Sequence, residues 1–393
     1  MSPARLKRDA LLLSSWLDRS VRCVQGGQCE GQKRAVQFPL RRADRLGHDS
    51  AMGDAATQPL PQRRLGRTGL SVSVLGFGGA PLGDLYQVLD EQEAIATVVA
   101  ALDAGEILID TSPLYGHGLS EHRIGAALRQ RSDRRVVIST KVGRVADPFQ
   151  LPGDYSGYSG GLPHAMRFDY SYDGTLRALE QSLLRLGRDR IDIALIHDVD
   201  YWTHGDAVSL RIREALDGAV KALDRLRAEG VISAYGVGVN EADKAALFAR
   251  ETDMDCVMLA GRYSLLEQPA LETFLPLALE KNIGVMLGGV FNSGILATGA
   301  VDGARYNYQP APEAVLTRVR AMQAVCVKHG VALRQAALHF VLGHKAVASL
   351  VLGAVHPHEI AAQCADLAVT LPTALWQDLK AAGLLDADVP VPT

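Results

Sequence analysis

Two hydrophobic rhythms alternate along most of the chain. Short apolar runs at 73–78, 107–111, 136–142, 191–197, 232–237, 256–259, 284–287 and 346–352 read as strands. Several are almost continuously apolar, as strands buried on both faces of a parallel sheet are. Between them, amphipathic stretches at 92–104, 120–130, 174–186, 212–229, 241–252, 269–281, 312–329 and 357–367 read as helices. Eight strands, each followed by a helix, predict an α/β fold closed into a (β/α)8 TIM barrel. An open doubly wound sheet would need a glycine fingerprint after its first strand. Gly76, Gly78 and Gly79 stand there, but no third glycine opens a helix at the required spacing. Position 81 is Pro, which offers no N–H to a pyrophosphate.

Two segments depart from the rhythm within the barrel region. Residues 64–72 flank a Thr-Gly turn and predict an N-terminal β-hairpin that can plug the bottom of a barrel. Residues 143–172 follow the third strand and are rich in Gly, Pro, Tyr and Phe, which predicts a long irregular loop. An ordered loop of that length is usually functional.

The first 62 residues show neither period. Residues 1–51 hold ten Lys/Arg against five Asp/Glu. This basic extension is expected to be disordered and the barrel to occupy 63–393. A dispensable tail with Met52 as the natural start, a transit peptide and a basic arm for a partner are the competing readings. Over the whole chain the net charge is −3. That gives no basic field for nucleic acid, and no apolar run reaches the ~20 residues of a membrane span. The five cysteines, Cys23, Cys29, Cys256, Cys326 and Cys364, are scattered and odd in number. They fit a reducing, cytoplasmic setting better than a disulfide scaffold, and the Cys23/Cys29 spacing lacks the second pair of a zinc site. No metal site is expected.

Chemistry concentrates at the ends of three successive strands. Asp110 ends the second, with Tyr115 five residues later; Lys141 ends the third and His197 the fourth. Taken singly, each has an ordinary explanation as a cap, a packing residue, a snorkelling amine or a core histidine. In a parallel barrel, however, all four reach one rim, where active sites sit. A buried Lys needs a counter-charge, which Asp110 can supply. A Lys⁺ near a phenol favours the phenolate and predicts a lowered Tyr115 pKa. Such a Tyr can shuttle a proton, and a neutral His beside it can orient an oxygen.

From about Arg63 to Leu385 the chain resembles the aldo-keto reductases. The matching motifs are Leu65-Gly66-Arg67-Thr68-Gly69, Leu75-Gly76-Phe77-Gly78, Asp110-Thr111-Ser112-Pro113-Leu114-Tyr115-Gly116, Ser120-Glu121, Ser139-Thr140-Lys141 and Leu195-Ile196-His197. The resemblance implies a (β/α)8 barrel and reversible hydride transfer between NAD(P)H and a carbonyl or alcohol carbon. It assigns Tyr115 as general acid/base, Lys141 and Asp110 as its tuning pair, and His197 as the residue that orients substrate. It implies cofactor contacts from Gly78, Asp110, Asn240, Phe291, Asn292, Ser293, Gly294, Leu296, Gly353, Glu359 and Gln363.

Within the family the chain looks closest to the branch that oxidises aldoses such as L-fucose, D-arabinose and L-galactose at the anomeric carbon, and to its pyridoxal-oxidising relatives. The signs are Phe168-Asp169-Tyr170-Ser171, Ile196-His197-Asp198, the glycine-rich run from Gly236 to Glu241, the run from Gly261 to Gln268, and that from Gly289 to Leu296. Three positions depart from the family. Ala260 stands where many members have a nicotinamide-binding Gln. Gly288 or Gly289 stands where many have a stacking aromatic, so Phe291 is expected to substitute. The usual Ser-Asn pair is shifted, leaving Asn240 as amide partner. Neither Val355 nor Glu359 is basic, which predicts NAD over NADP. Tyr155, Tyr158 and Trp202 are expected in the substrate wall. An aldose 1-dehydrogenase acting as monomer or homodimer is the leading expectation. A pyridoxal dehydrogenase, a general carbonyl reductase and a nucleotide-sensing regulatory subunit are the alternatives.

Overall fold

The computed structural model describes residues 60–392. The expected disorder upstream, the Met52 start and Cys23/Cys29 lie outside the described residues. Leu60 is buried and Gln62 already belongs to the first strand, so order extends slightly ahead of the predicted boundary. Strands β1 (Gln62–Arg64) and β2 (Ser71–Ser73) form the expected antiparallel hairpin. Ser73 therefore belongs to the hairpin, and the first barrel strand, β3, is only Leu75–Gly78.

The remaining barrel strands are β4 (Leu108–Asp110), β5 (Val137–Val142), β8 (Ile193–His197), β9 (Ala234–Val239), β10 (Cys256–Ala260), β11 (Gly284–Gly288) and β14 (Val347–Gly353). With β3 they close a parallel barrel in chain order. A small layer inside it includes Leu108, Val137, Leu195, Cys256, Met258 and Met286, and Leu65 and Val72 of the hairpin join this layer as the bottom plug. The larger core lies between sheet and helices.

Residues 143–172 are less irregular than the sequence predicts. They contain an antiparallel pair, β6 (Arg144–Asp147) and β7 (Ala165–Phe168), joined by a Gly- and Pro-containing loop that hides the short period. Gly143 makes the turn into β6 at φ +99°, and a Cβ there would collide with the Tyr170 ring. Other differences are local. The fifth strand runs two residues further than expected, to Val239. The 269–281 helix is broken in two next to Pro276. Helices Leu333–Leu342 and Thr373–Ala381 were not expected. A third antiparallel pair, β12 (Arg305–Tyr306) and β13 (Gln309–Pro310), projects from the segment after β11. No described helix is long and apolar enough to cross a membrane.

At the opposite end of β4 from the catalytic candidates, Glu106 is 1% exposed and neither carboxylate oxygen has a partner among the described residues. Burial raises its carboxyl from the ordinary 4.5 to about 8. The native state thus holds this proton more tightly than the unfolded chain. Its contribution to stability is full below pH 4.5 and is lost as the pH rises toward 8. The shift corresponds to about 5 kcal/mol. Glu106→Gln should flatten the fall of Tm between about pH 5 and pH 8 and raise Tm at the upper end by about 5 °C or more. Parallel melting curves for variant and parent across that range would refute this assignment.

Candidate active site

The four residues singled out in the sequence meet at the C-terminal rim of the barrel. Lys141 Nζ donates to both Asp110 oxygens at 2.6 Å and to the Thr111 carbonyl at 2.9 Å. Ser139 Oγ donates to Asp110 Oδ2 at 2.7 Å. The ion pair is almost fully enclosed, and Gly238 of β9 makes room for it: a side chain there would press on Lys141 Cε. Lys141 Nζ lies 5.8 Å from the centre of the Tyr115 ring. The His197 ring stands edge-on to Tyr115 at 6.0 Å.

Electrostatics at the tyrosine correct one expectation. Burial, followed by the Asp110 charge, pushes the Tyr115 hydroxyl well above its ordinary value near 10. Lys141 does not lower it, because both Asp110 oxygens neutralise the ammonium at closer range. At His197, burial acts first and the Arg144 and Lys141 charges second, holding the imidazole well below its ordinary 6.5 and hence neutral.

A cleft of about 590 Å³ opens over these groups. Tyr158 and Trp202, expected in the wall, line it together with Tyr86 and Tyr308. Tyr158 sits 6.1 Å from the Tyr115 ring. Tyr155 does not line it: its ring packs 5.2 Å from His117 and lies against Gly161. Polar lining comes from Ser156, Asp198, Thr203, Asn240, Arg305 and Gln309. Asp198 follows His197 within a motif visible in the sequence. Tyr308, Arg305 and Gln309 come from the β12–β13 pair, and no sequence pattern ties that remote segment to the rim.

A second cleft of about 520 Å³ shares Tyr115 and Tyr308 with the first. It passes Gly78 and Asp110, then Gly288–Phe291, Ser293 and Gly294, and ends at Gly353 and Glu359. Ala260 and Gly288 face each other across paired strand ends, so neither offers an amide or a ring. The cleft runs from the catalytic tyrosine candidate past Gly288 to a helix start. Those features fit an extended dinucleotide.

Four expected cofactor residues lie elsewhere. Leu296 is buried in the core, and its N–H bonds the Phe291 carbonyl. Asn292 turns inward to Gly261 and Glu267. Asn240 borders the substrate cleft instead, with its amide donating to Asp200. Gln363 donates to the Gly353 carbonyl at 3.1 Å rather than lining the groove. Glu359 does line it, and its Oε2 also accepts the Val355 and His356 N–H groups at 2.7 and 3.1 Å, a helix-start role. Among the described residues no group of His, Cys, Asp or Glu is arranged to hold a metal ion.

The barrel and its rim thus define a barrel enzyme with one polar floor and two adjoining clefts. The chain belongs to the aldo/keto reductase family, whose model matches residues 74–383, and it is an oxidoreductase of the kind that uses a nicotinamide cofactor. It is 39% identical over 336 residues to pyridoxal 4-dehydrogenase from Microbacterium luteolum, covering 82% of this chain and 98% of that protein. It is 38% identical over 329 residues to D-threo-aldose 1-dehydrogenase from a Pseudomonas species, covering 81% and 96%. Among solved structures, an aldo-keto reductase from Bacillus halodurans in its holo form aligns with TM-score 0.63 at 26% identity, covering 84% of this chain and 98% of that one.

Proposed function

We propose that the protein oxidises a cyclic hemiacetal to a lactone with NAD, the substrate being an aldose such as L-fucose, D-arabinose or L-galactose. The observation that carries this reading is the joint placement of Tyr115, His197 and the buried Lys141–Asp110 pair at the floor of the polar-lined cleft. A nicotinamide cofactor, held along the second cleft past Gly78, Ser293 and Gly353, would supply the hydride acceptor for the anomeric carbon. Tyr115 takes the anomeric hydroxyl proton as the carbonyl forms. His197, neutral, donates a hydrogen bond to the same oxygen and fixes its direction. Lys141, clamped by Asp110, keeps its ammonium 5.8 Å from the centre of the Tyr115 ring. Tyr158, 6.1 Å from the Tyr115 ring, lines the cleft beside the reacting groups.

A second reading, oxidation of the hemiacetal form of pyridoxal, uses the same chemistry. It is favoured by the ring of Tyr86, Tyr158, Trp202 and Tyr308 around the cleft, which suits a flat pyridine. A panel of aldoses and pyridoxal, run separately with NAD and NADP, tests both. Reduced nicotinamide with an aldose supports the first reading, with pyridoxal alone the second, and with neither rejects both. Trp202→Ala should raise KM for the oxidised substrate while leaving KM for cofactor within a few-fold; equal effects on both would take Trp202 out of the substrate wall.

NAD preference is assigned to Glu359, since among the described residues no Lys or Arg lines the second cleft and a carboxylate there repels a 2′-phosphate while accepting ribose hydroxyls. Glu359→Arg should shift the kcat/KM ratio toward NADP by about tenfold or more. It should also lower stability by about 1 kcal/mol through loss of the helix-start hydrogen bonds. A variant with unchanged preference, or a parent enzyme that prefers NADP tenfold, would remove Glu359 from the argument.

A further inference from the structure

Arg144 opens β6, three residues beyond Lys141, and is 8% exposed at the rim. Its guanidinium is held on three sides. It pairs with Asp198 Oδ2 at 2.8 Å, stacks over the Phe168 ring at 4.4 Å, and its Nη1 approaches His197 Nδ1 at 3.3 Å. Ser112 Oγ reaches the same ring nitrogen at 3.2 Å. An arginine donates and never accepts. Nδ1 must therefore be the acceptor, so the proton of a neutral His197 sits on Nε2. Asp198 is held beside this ring in a left-handed conformation, φ +55°, with Oδ1 3.5 Å from Nε2.

We propose that Arg144, clamped by Asp198 and Phe168, is a positioning residue that fixes the tautomer and orientation of His197. The proposal rests on the reading of His197 as the group that directs the substrate oxygen. Alone, Asp198 would draw a proton onto the imidazole and turn a neutral donor into an imidazolium. Arg144 neutralises that carboxylate and occupies Nδ1 at once. The other charges facing His197 are Lys141 from β5, whose ammonium Asp110 engages, and Asp200 from the segment after β8. Lys141 acts in the same direction as Arg144 and Asp200 against it. The His197 carbonyl is held separately, by the Tyr170 hydroxyl at 2.8 Å, so the backbone stays in place when Arg144 is changed.

The test is ¹⁵N NMR of histidine-labelled protein, with His197→Ala identifying the resonances, alongside pH profiles of kcat/KM. In the parent, His197 should give an Nε2–H, bare-Nδ1 pattern that stays constant from about pH 6 upward. In Arg144→Met the same histidine should titrate between about pH 6 and 8, and kcat/KM should gain an acid limb, falling about tenfold per pH unit. Arg144→Lys, which keeps the charge, should restore most of the parent titration. A folded Arg144→Met with parent-like histidine signals and no acid limb overturns the proposal. So does a parent His197 that carries its proton on Nδ1 or titrates above about pH 6, a result that needs no variant to fold. The NMR readout needs no substrate, so failure of the hemiacetal reading would show separately, as absent turnover with an intact His197 signature.

Discussion

Tyr115→Phe should lower kcat for hemiacetal oxidation by about 10²–10⁴-fold, the usual worth of a positioned acid/base. Cofactor binding, followed by fluorescence titration, should change less than about twofold, because the ring stays in place and only the hydroxyl is lost. A Phe variant that keeps more than about a tenth of parent turnover would show that another group moves the proton. The pH dependence follows from the raised hydroxyl pKa. Oxidation needs the deprotonated oxygen, whose population grows with pH, so kcat/KM for oxidation should climb through the alkaline range. Reduction needs the phenol, which is fully present at neutral pH, so its rate should stay flat there. A profile for oxidation that falls with alkaline pH would contradict Tyr115 as the base.

Lys141→Met should be severe in stability as well as activity. It leaves the Asp110 carboxylate, 4% exposed, with Ser139 as its remaining side-chain donor. Breaking a buried pair in this way costs about 3–5 kcal/mol, because an uncompensated charge stays behind. Denaturant unfolding should show that loss, and turnover should fall by orders of magnitude. Adding Asp110→Asn removes the stranded charge. The double variant should therefore recover part of the stability and none of the turnover. A Lys141→Met protein as stable as its parent would show that the pair is dispensable to the fold.

The parts of the molecule legible in the sequence are those with a strong period or a fixed chemical type. The barrel strands are short apolar runs whose C-terminal ends mark the rim, so the placement of Asp110, Lys141 and His197 there is legible from position. The helix Leu333–Leu342 is hard to read because it is short and mostly apolar, with Arg334, Gln335 and His339 as its few polar positions. The β6–β7 pair was hidden because each strand has four residues and their connection is long. Arg144 was missed for that reason: a residue in an unrecognised strand has no assigned direction. Tyr308 and Arg305 reach the cleft through tertiary packing of a segment more than 100 residues from His197 in sequence, which no local pattern encodes. The direction of the Tyr115 shift is not legible in the sequence, because burial of the phenol, followed by the Asp110 charge, is set by tertiary packing.

The proposed step is transfer of the hemiacetal hydrogen to the nicotinamide. It is tested most directly with L-fucose or D-arabinose deuterated at the anomeric carbon, and with pyridoxal deuterated at its aldehyde carbon, each incubated with NAD. The account predicts deuterium in the reduced nicotinamide, a lactone as the organic product and slower turnover of the labelled substrate. Product formed with the deuterium retained on carbon or lost to water, or no turnover of any of these substrates, would contradict it.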